Sequence, residues 1–244
     1  MTAGARLPEP VRWRVWWLAG LLALAGCAAP SDPGLQGESM SADQFAQSDI
    51  NRLQTLAMRD NLDSLDRLLE KLYRRNPGEW RKAGFTDLKT ALEQGRTRIR
   101  QGQVPEELNG LQDIEVLSVA MDPRYPGDRA AAFVLGLSSM IIAAHGGQTR
   151  FHVGDSVQAR HVFNAARNVE IAAWMLSSRR DAQGRPLLLS NELGDGVANL
   201  SFEREFGRII ARLDLEASLQ DESLRRIGIN YVQGLLFFNF LPVR

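Results

Sequence analysis

The chain has 244 residues, with 29 basic against 29 acidic side chains and a hydrophobic fraction of 44%. That balance excludes a general polyanion-binding role and with it a nucleic-acid partner, because nucleic-acid-binding proteins carry a marked excess of Lys and Arg. A single cysteine, Cys27, excludes a disulfide within the chain, so the fold has to rest on its apolar core.

At the N-terminus, Arg6, Arg12 and Arg14 precede an apolar run over residues 15–23, which leads into Leu24-Ala25-Gly26-Cys27. A positive flank, an apolar segment and then small residues is the layout of a secretory signal peptide. Residues 15–29 are shorter than the ~20 needed to cross a bilayer as a helix. Trp13 separates Arg12 from Arg14, which does not match a twin-arginine export signal. Leu24-Ala25-Gly26-Cys27 resembles the lipobox of bacterial lipoproteins. The resemblance is confined to residues 1–27 and implies that residues 1–26 are removed and that Cys27 carries the lipid, palmitate included. Membrane attachment would then run through Cys27. In that family an Asp after the cysteine retains the protein in the inner membrane; Ala28 in its place implies the outer membrane, with the body facing the periplasm. Without residues 1–26 the chain carries 26 basic against 28 acidic residues.

Residues 27–40 read as the lipidated cysteine and a flexible tether, small, polar and rich in Pro and Gly, of which Pro30 to Met40 supplies a random-coil reach of about 20 Å. Residues 41–244 then read as one all-α periplasmic domain. Ser41 and Gln44 have the spacing of a capping box, and Ala46, Ile50, Leu53 and Ala57 share one helical face. Leu62, Leu65, Leu69 and Leu72 form a second stripe, ended by Asn76-Pro77-Gly78. Thr86 is placed to cap a third helix, with Leu88, Leu92 and Ile99 on one side and Gln101-Gly102 as its close. Residues 111–121 read as a short helix and 123–127 as a turn. Residues 130–144 form an uncharged apolar helix that stops at His145-Gly146-Gly147, with Ala132 and Gly136 spaced for close helix approach. Asp155 with Gln158 reads as the start of the next helix, whose inner face is Val162, Ala166, Val169, Ala173 and Leu176. Residues 178–186 read as a polar loop and 187–189 as one short strand. Phe202, Phe206, Ile209, Leu213 and Ala217 make a further stripe; Leu224, Ile227, Tyr231, Leu235 and Phe238 make the last, capped by Asp221.

Few segments alternate with period two, so the expected architecture is all-α, a single multi-helix bundle. A short helical-repeat solenoid is the alternative, because Leu62 to Pro77 resembles the second half of a tetratricopeptide unit. No second copy appears at the ~34-residue offset of that repeat.

The three histidines, His145, His152 and His161, lie within seventeen residues with Asp155 among them. His152, Asp155 and His161 are the candidate metal ligands. Their spacing does not match the i, i+4 histidine pair of helical zinc sites. His145 suits the negative end of the helix it terminates. Gly154-Asp155-Ser156-Val157 resembles the Gly-Asp-Ser-Leu signature of a serine esterase family, which would make Ser156 a nucleophile. That family places the nucleophile near the N-terminus and a histidine much later, whereas no histidine follows His161. Glu222-Ser223 resembles the Glu-Ser pair of lytic transglycosylases, with too little chain after it for the rest of that domain. There is no Gly-rich phosphate loop and no cofactor motif.

Two further features concern contact rather than chemistry. Lys71, Arg74, Arg75, Arg81, Lys82, Lys89, Arg96, Arg98 and Arg100 form a basic stretch, suited either to an anionic membrane surface or to pairing with acidic residues around Glu106 to Asp122. Leu235-Leu236-Phe237-Phe238-Asn239-Phe240-Leu241 is apolar on all sides of a helix and has to be covered by the core, a partner or lipid. The expectation is a lipid-anchored, non-catalytic envelope protein that acts as a scaffold or interaction module with an envelope protein partner. The alternatives are a binder of a small apolar or lipidic ligand held between residues 130–144 and the C-terminal aromatic segment, and a hydrolase using Ser156 or a His/Asp site.

Overall fold

Leu62, Leu65, Leu69 and Leu72 recur three and four residues apart, and in the computed structural model all four are buried along one side of a single helix, α1 (Asp49–Arg75). The structure describes residues 49–111, 113–152, 155, 157–194 and 197–238, without the side chains of 113, 193, 197 and 223–238. The lipobox, the tether, the capping box at Ser41 and Ser156 lie outside the described residues, as do the side chains of the aromatic C-terminus. The two leucine stripes expected on either side of residue 60 belong to one continuous helix, because nothing between Ala57 and Leu62 breaks the 3.6-residue period.

Asn76 ends α1, and Pro77 opens a short second helix, α2 (Pro77–Lys82), at the position where a missing N–H costs nothing. The third helix, α3 (Leu88–Gln101), is capped by Asp87 rather than Thr86: the Asp87 carboxylate accepts from the Thr90 N–H at 2.9 Å. Gly102 closes it as expected, in the left-handed region at φ 63°. A 3₁₀ turn (Glu106–Leu108) leads to α4 (Asp113–Ala120) and then to α5 (Arg129–Ala144), which is buried along nearly its whole length and stops at His145. Gln158 is the N-cap position of α6 (Ala159–Ser178), so Asp155 is not its cap. The Asp155 carboxylate instead accepts from the His152 N–H at 2.7 Å and folds the preceding loop.

The short strand falls elsewhere than expected. Residues 187–189 are irregular, and the Leu189 backbone pairs with the side-chain amide of Asn76, donating to its Oδ1 at 2.8 Å and accepting from its Nδ2 at 2.9 Å. The two described strands form an antiparallel hairpin, β1 (Glu192–Gly194) with β2 (Val197–Asn199). The last helix, α7 (Ser201–Phe238), runs unbroken for 38 residues. Asp221 therefore sits inside a helix instead of capping one; no proline interrupts residues 201–238, so the two helices read there are one.

Four of these helices close a ring. α1 packs on α5, α5 on α6, α6 on α7, and α7 back on α1. Tyr73 at the end of α1 meets Asp128 at the start of α5, and Arg67 of α1 meets Glu205 while Asn61 meets Arg212, so α1 runs against both α5 and α7. In chain order the four run up, down, up, down. Contact between the first and last helices is what a solenoid lacks, since its repeats touch only their neighbours. Phe133 of α5 and Phe206 of α7 meet edge to face across the centre, with ring centroids 6.4 Å apart. α3 packs on the outside of the α1/α5 layer, and α2 and α4 also lean on α5. Gly136 lets α4 approach: a Cβ there would lie 2.7 Å from Val116 Cγ1. Among the described residues, no helix is long and apolar enough to cross a membrane.

Candidate binding groove

α3, the chain from Gly102 to Asn109, and the start of α5 enclose an open groove of about 1000 Å³ floored by Tyr73. Its walls are set by capping. Asp128 precedes α5, and its Oδ1 accepts from the Ala131 N–H at 2.9 Å, which satisfies one of the free donors of the first turn. Its other oxygen accepts from the Tyr73 hydroxyl at 2.6 Å. Burial pushes the Asp128 carboxyl above its ordinary value, against the lowering effect of the Ala131 N–H and the Tyr73 hydroxyl. Burial and the adjacent carboxylate push the Tyr73 phenol far up, so it stays a neutral donor.

Further pairs fix the rim. Glu79 Oε2 accepts from the Arg129 N–H at 2.8 Å, and Lys82 holds its other oxygen at 2.7 Å, so a second carboxylate faces the positive end of α5. The buried Arg129 guanidinium donates to the carbonyls of Ala120, Asp122 and Tyr125, which ties the 120–125 turn to the helix. The Tyr125 hydroxyl donates to Glu107 Oε1 at 2.8 Å, and burial with that carboxylate raises the phenol. Arg98 donates to the Val104 carbonyl at 2.9 Å. Gln94, Thr97, Gln101 and Gln103 are exposed along the groove, which offers amide and hydroxyl groups to an occupant. Among the described residues no serine, cysteine or histidine lines it.

The expected site residues fall elsewhere. His152 and Asp155 share the loop before α6, with His152 Nδ1 3.8 Å from Asp155 Oδ2, and His161 is exposed on α6 beside a smaller cleft of about 320 Å³ against α5. Among the described residues no three His, Cys, Asp or Glu side chains converge as metal ligands would. The basic stretch is engaged at every candidate position. Arg74 and Arg96 pair with Glu70, Arg75 with Glu192, Lys82 with Glu79, and Arg100 with Asp63 and Asp66; Arg81 lies 4.7 Å over the Trp80 ring. The carboxylates come from α1, α2 and the hairpin rather than from residues 106–122.

Sequence reasoning missed one buried pair. His145 ends α5 and is 1% exposed; its Nδ1 donates to the Ile141 carbonyl at 2.7 Å, and its Nε2 lies 3.1 Å from Glu216 Oε1 on α7. A carbonyl only accepts, so Nδ1 carries the hydrogen that reaches Ile141. Its local setting identified His145 as a helix-end residue; nothing local marks a partner 71 positions away.

The fold and the groove together define a class: an up-down-up-down helical bundle with an inserted helical layer that forms one wall of a polar cleft. No protein-family model, no curated protein and no solved structure matches the chain.

Proposed function

We propose that this chain is a lipid-anchored, non-catalytic envelope module that holds an extended polar segment of an envelope protein partner in the groove between α3 and α5. The observation that carries the reading is the groove itself, large, open and lined with exposed amides over a base whose charged groups are already internally paired. Phenols and carboxylates locked in such pairs are pre-organised to shape a cleft. The lipobox resemblance at Cys27 supports attachment to the outer membrane, with the body in the periplasm.

Photo-crosslinking in intact cells tests this. A crosslinking residue at Gln94 or Gln103 is expected to give one discrete adduct, and Thr97→Trp, which fills the groove from an exposed position, is expected to abolish it without lowering the melting temperature. No adduct, or one that persists with the groove filled, would overturn the proposal.

A further inference from the structure

The inner stripe of α6, which includes Val162, Ala166 and Val169, accounts for its packing, yet its opposite side is also apolar. Phe163, Ile171 and Trp174 fall on one outward face and are 49%, 44% and 61% exposed. Arg167, on the same face, holds Asp214 of α7 through both oxygens at 2.8 Å, which brings the outer side of α7 alongside. There Arg204, Arg208, Leu215 and Leu219 recur at helical spacing, all exposed. Five of the ten large apolar side chains exposed among the described residues therefore gather on this one side of the bundle. An apolar patch of that kind marks a contact surface.

The charges around it are balanced. Arg167 pairs with Glu170 and Asp214, Arg208 pairs with Glu205, and Arg160, Glu203, Arg204 and Asp221 are exposed on the same two helices. Such a mixture is complementary to a zwitterionic headgroup layer, where phosphate and ammonium lie side by side. Tryptophan, with an apolar body and a polar N–H, suits the same interfacial depth, and long arginines can stay at the headgroups above buried apolar neighbours. The tether adds a second argument. An anchor at Cys27, if the lipobox reading holds, keeps the body near a bilayer, whereas a second copy of the chain has to arrive by diffusion.

We infer that the outward face of α6 and α7 rests on the phospholipid surface, with Trp174, Ile171, Phe163 and Leu215 dipping among the headgroups. The inference rests on the proposed membrane tether and states how the tethered body is oriented. α3 and the groove lie on the far side of the α1/α5 layer, so the face that meets lipid leaves the groove open to the periplasm.

Cys27 is the only cysteine, so the chain from residue 27 onward can be coupled there to a maleimide lipid in phosphatidylcholine vesicles. Coupling supplies the anchor chemically, and the outcome does not depend on lipidation in cells. Trp174 emission is expected to shift to the blue and to be quenched by lipids brominated on their acyl chains, with little effect of salt. Trp80, the other tryptophan after residue 27, is already buried. Replacing Phe163, Ile171 and Leu215 with serine is expected to remove most of the quenching while Trp174 remains as reporter. Arg160→Glu with Arg204→Glu tips the face acidic, and is expected to reduce quenching more in vesicles containing phosphatidylglycerol than in phosphatidylcholine alone. Melting curves identify any variant that fails to fold. Absence of quenching, undiminished quenching in the serine variant, or a blue shift that grows with protein density without quenching (a second copy on this face) would overturn the inference. The Gln94 crosslink is scored separately, so failure of the groove proposal and failure of this one are distinguishable.

Discussion

Replacing Asp128 tests the base of the groove most directly. One of its oxygens caps α5 at the Ala131 N–H and the other receives the buried Tyr73 hydroxyl. Loss of an N-cap costs about 1 kcal/mol. A buried hydroxyl left without an acceptor costs about 1–3 kcal/mol more. Asp128→Ala is therefore expected to lose about 2–4 kcal/mol, read as a lower urea midpoint at unchanged slope. Asp128→Asn keeps the capping oxygen, but its amide cannot accept from the Tyr73 hydroxyl, so it is expected to lose about 1–3 kcal/mol, less than alanine. The pH dependence has a definite sign. Burial raises the Asp128 carboxyl above its ordinary 3.8, so between 3.8 and the raised value the folded state binds more protons than the unfolded one. This group's contribution is fully present below 3.8 and declines as pH climbs through the raised value. Wild type should therefore gain on Asp128→Asn as the buffer is taken down toward about pH 4. An alanine variant as stable as wild type, an asparagine variant as weak as alanine, or a pH-independent gap would refute this reasoning.

The same exchange at two helical glycines should have opposite signs. Gly136→Ala drives a methyl to 2.7 Å from the stiff Val116 side chain, so strain of about 1–3 kcal/mol outweighs the ~1 kcal/mol gain in helix propensity. Gly207→Ala, with nothing within 4 Å of the new Cβ, should stabilise by about 0.5–1 kcal/mol in thermal melts. Glu216→Gln keeps a hydrogen for His145 Nε2 and should cost under about 1 kcal/mol, whereas Glu216→Leu leaves that buried nitrogen unpaired and should cost about 1–3 kcal/mol in urea titrations.

Periodicity made most of the helices legible. Phe202, Phe206, Ile209, Leu213 and Ala217 are all buried, as their spacing requires, and Gly102 and His145 end their helices as read. Asp221 misled because an Asp before an apolar stripe looks the same whether the preceding residues are helical or not. Thr86 and Asp155 misled for a related reason: short polar side chains compete for the same free N–H groups, and Asp87 and the loop before α6 won. The groove was not legible at all. Its base joins Tyr73 to Asp128 and its rim joins Glu107 to Tyr125, pairs 55 and 18 residues apart that no local pattern announces. The outward face of α6 was written in the sequence, since Phe163, Ile171 and Trp174 lie opposite the stripe that reads as core. A search for inward faces passes over it.

Geometry links that face to the groove. Helix layers pack about 8–10 Å apart, so α3 rides roughly 20 Å above the axes of α6 and α7, beyond the intervening α1/α5 layer. If α6 and α7 lie on lipid, their axes run along the membrane surface and the groove faces away from it. With the chain coupled to vesicles through Cys27, a nitroxide carried on lipid headgroups should quench Trp174 strongly. A tryptophan moved to the groove, by Gln94→Trp together with Trp174→Phe, should be quenched weakly. Equal quenching at both positions would mean that the body tumbles freely on its tether, and stronger quenching at position 94 would place the groove against the bilayer. Either result would refute the proposed orientation, and the second would also close the groove to a periplasmic partner.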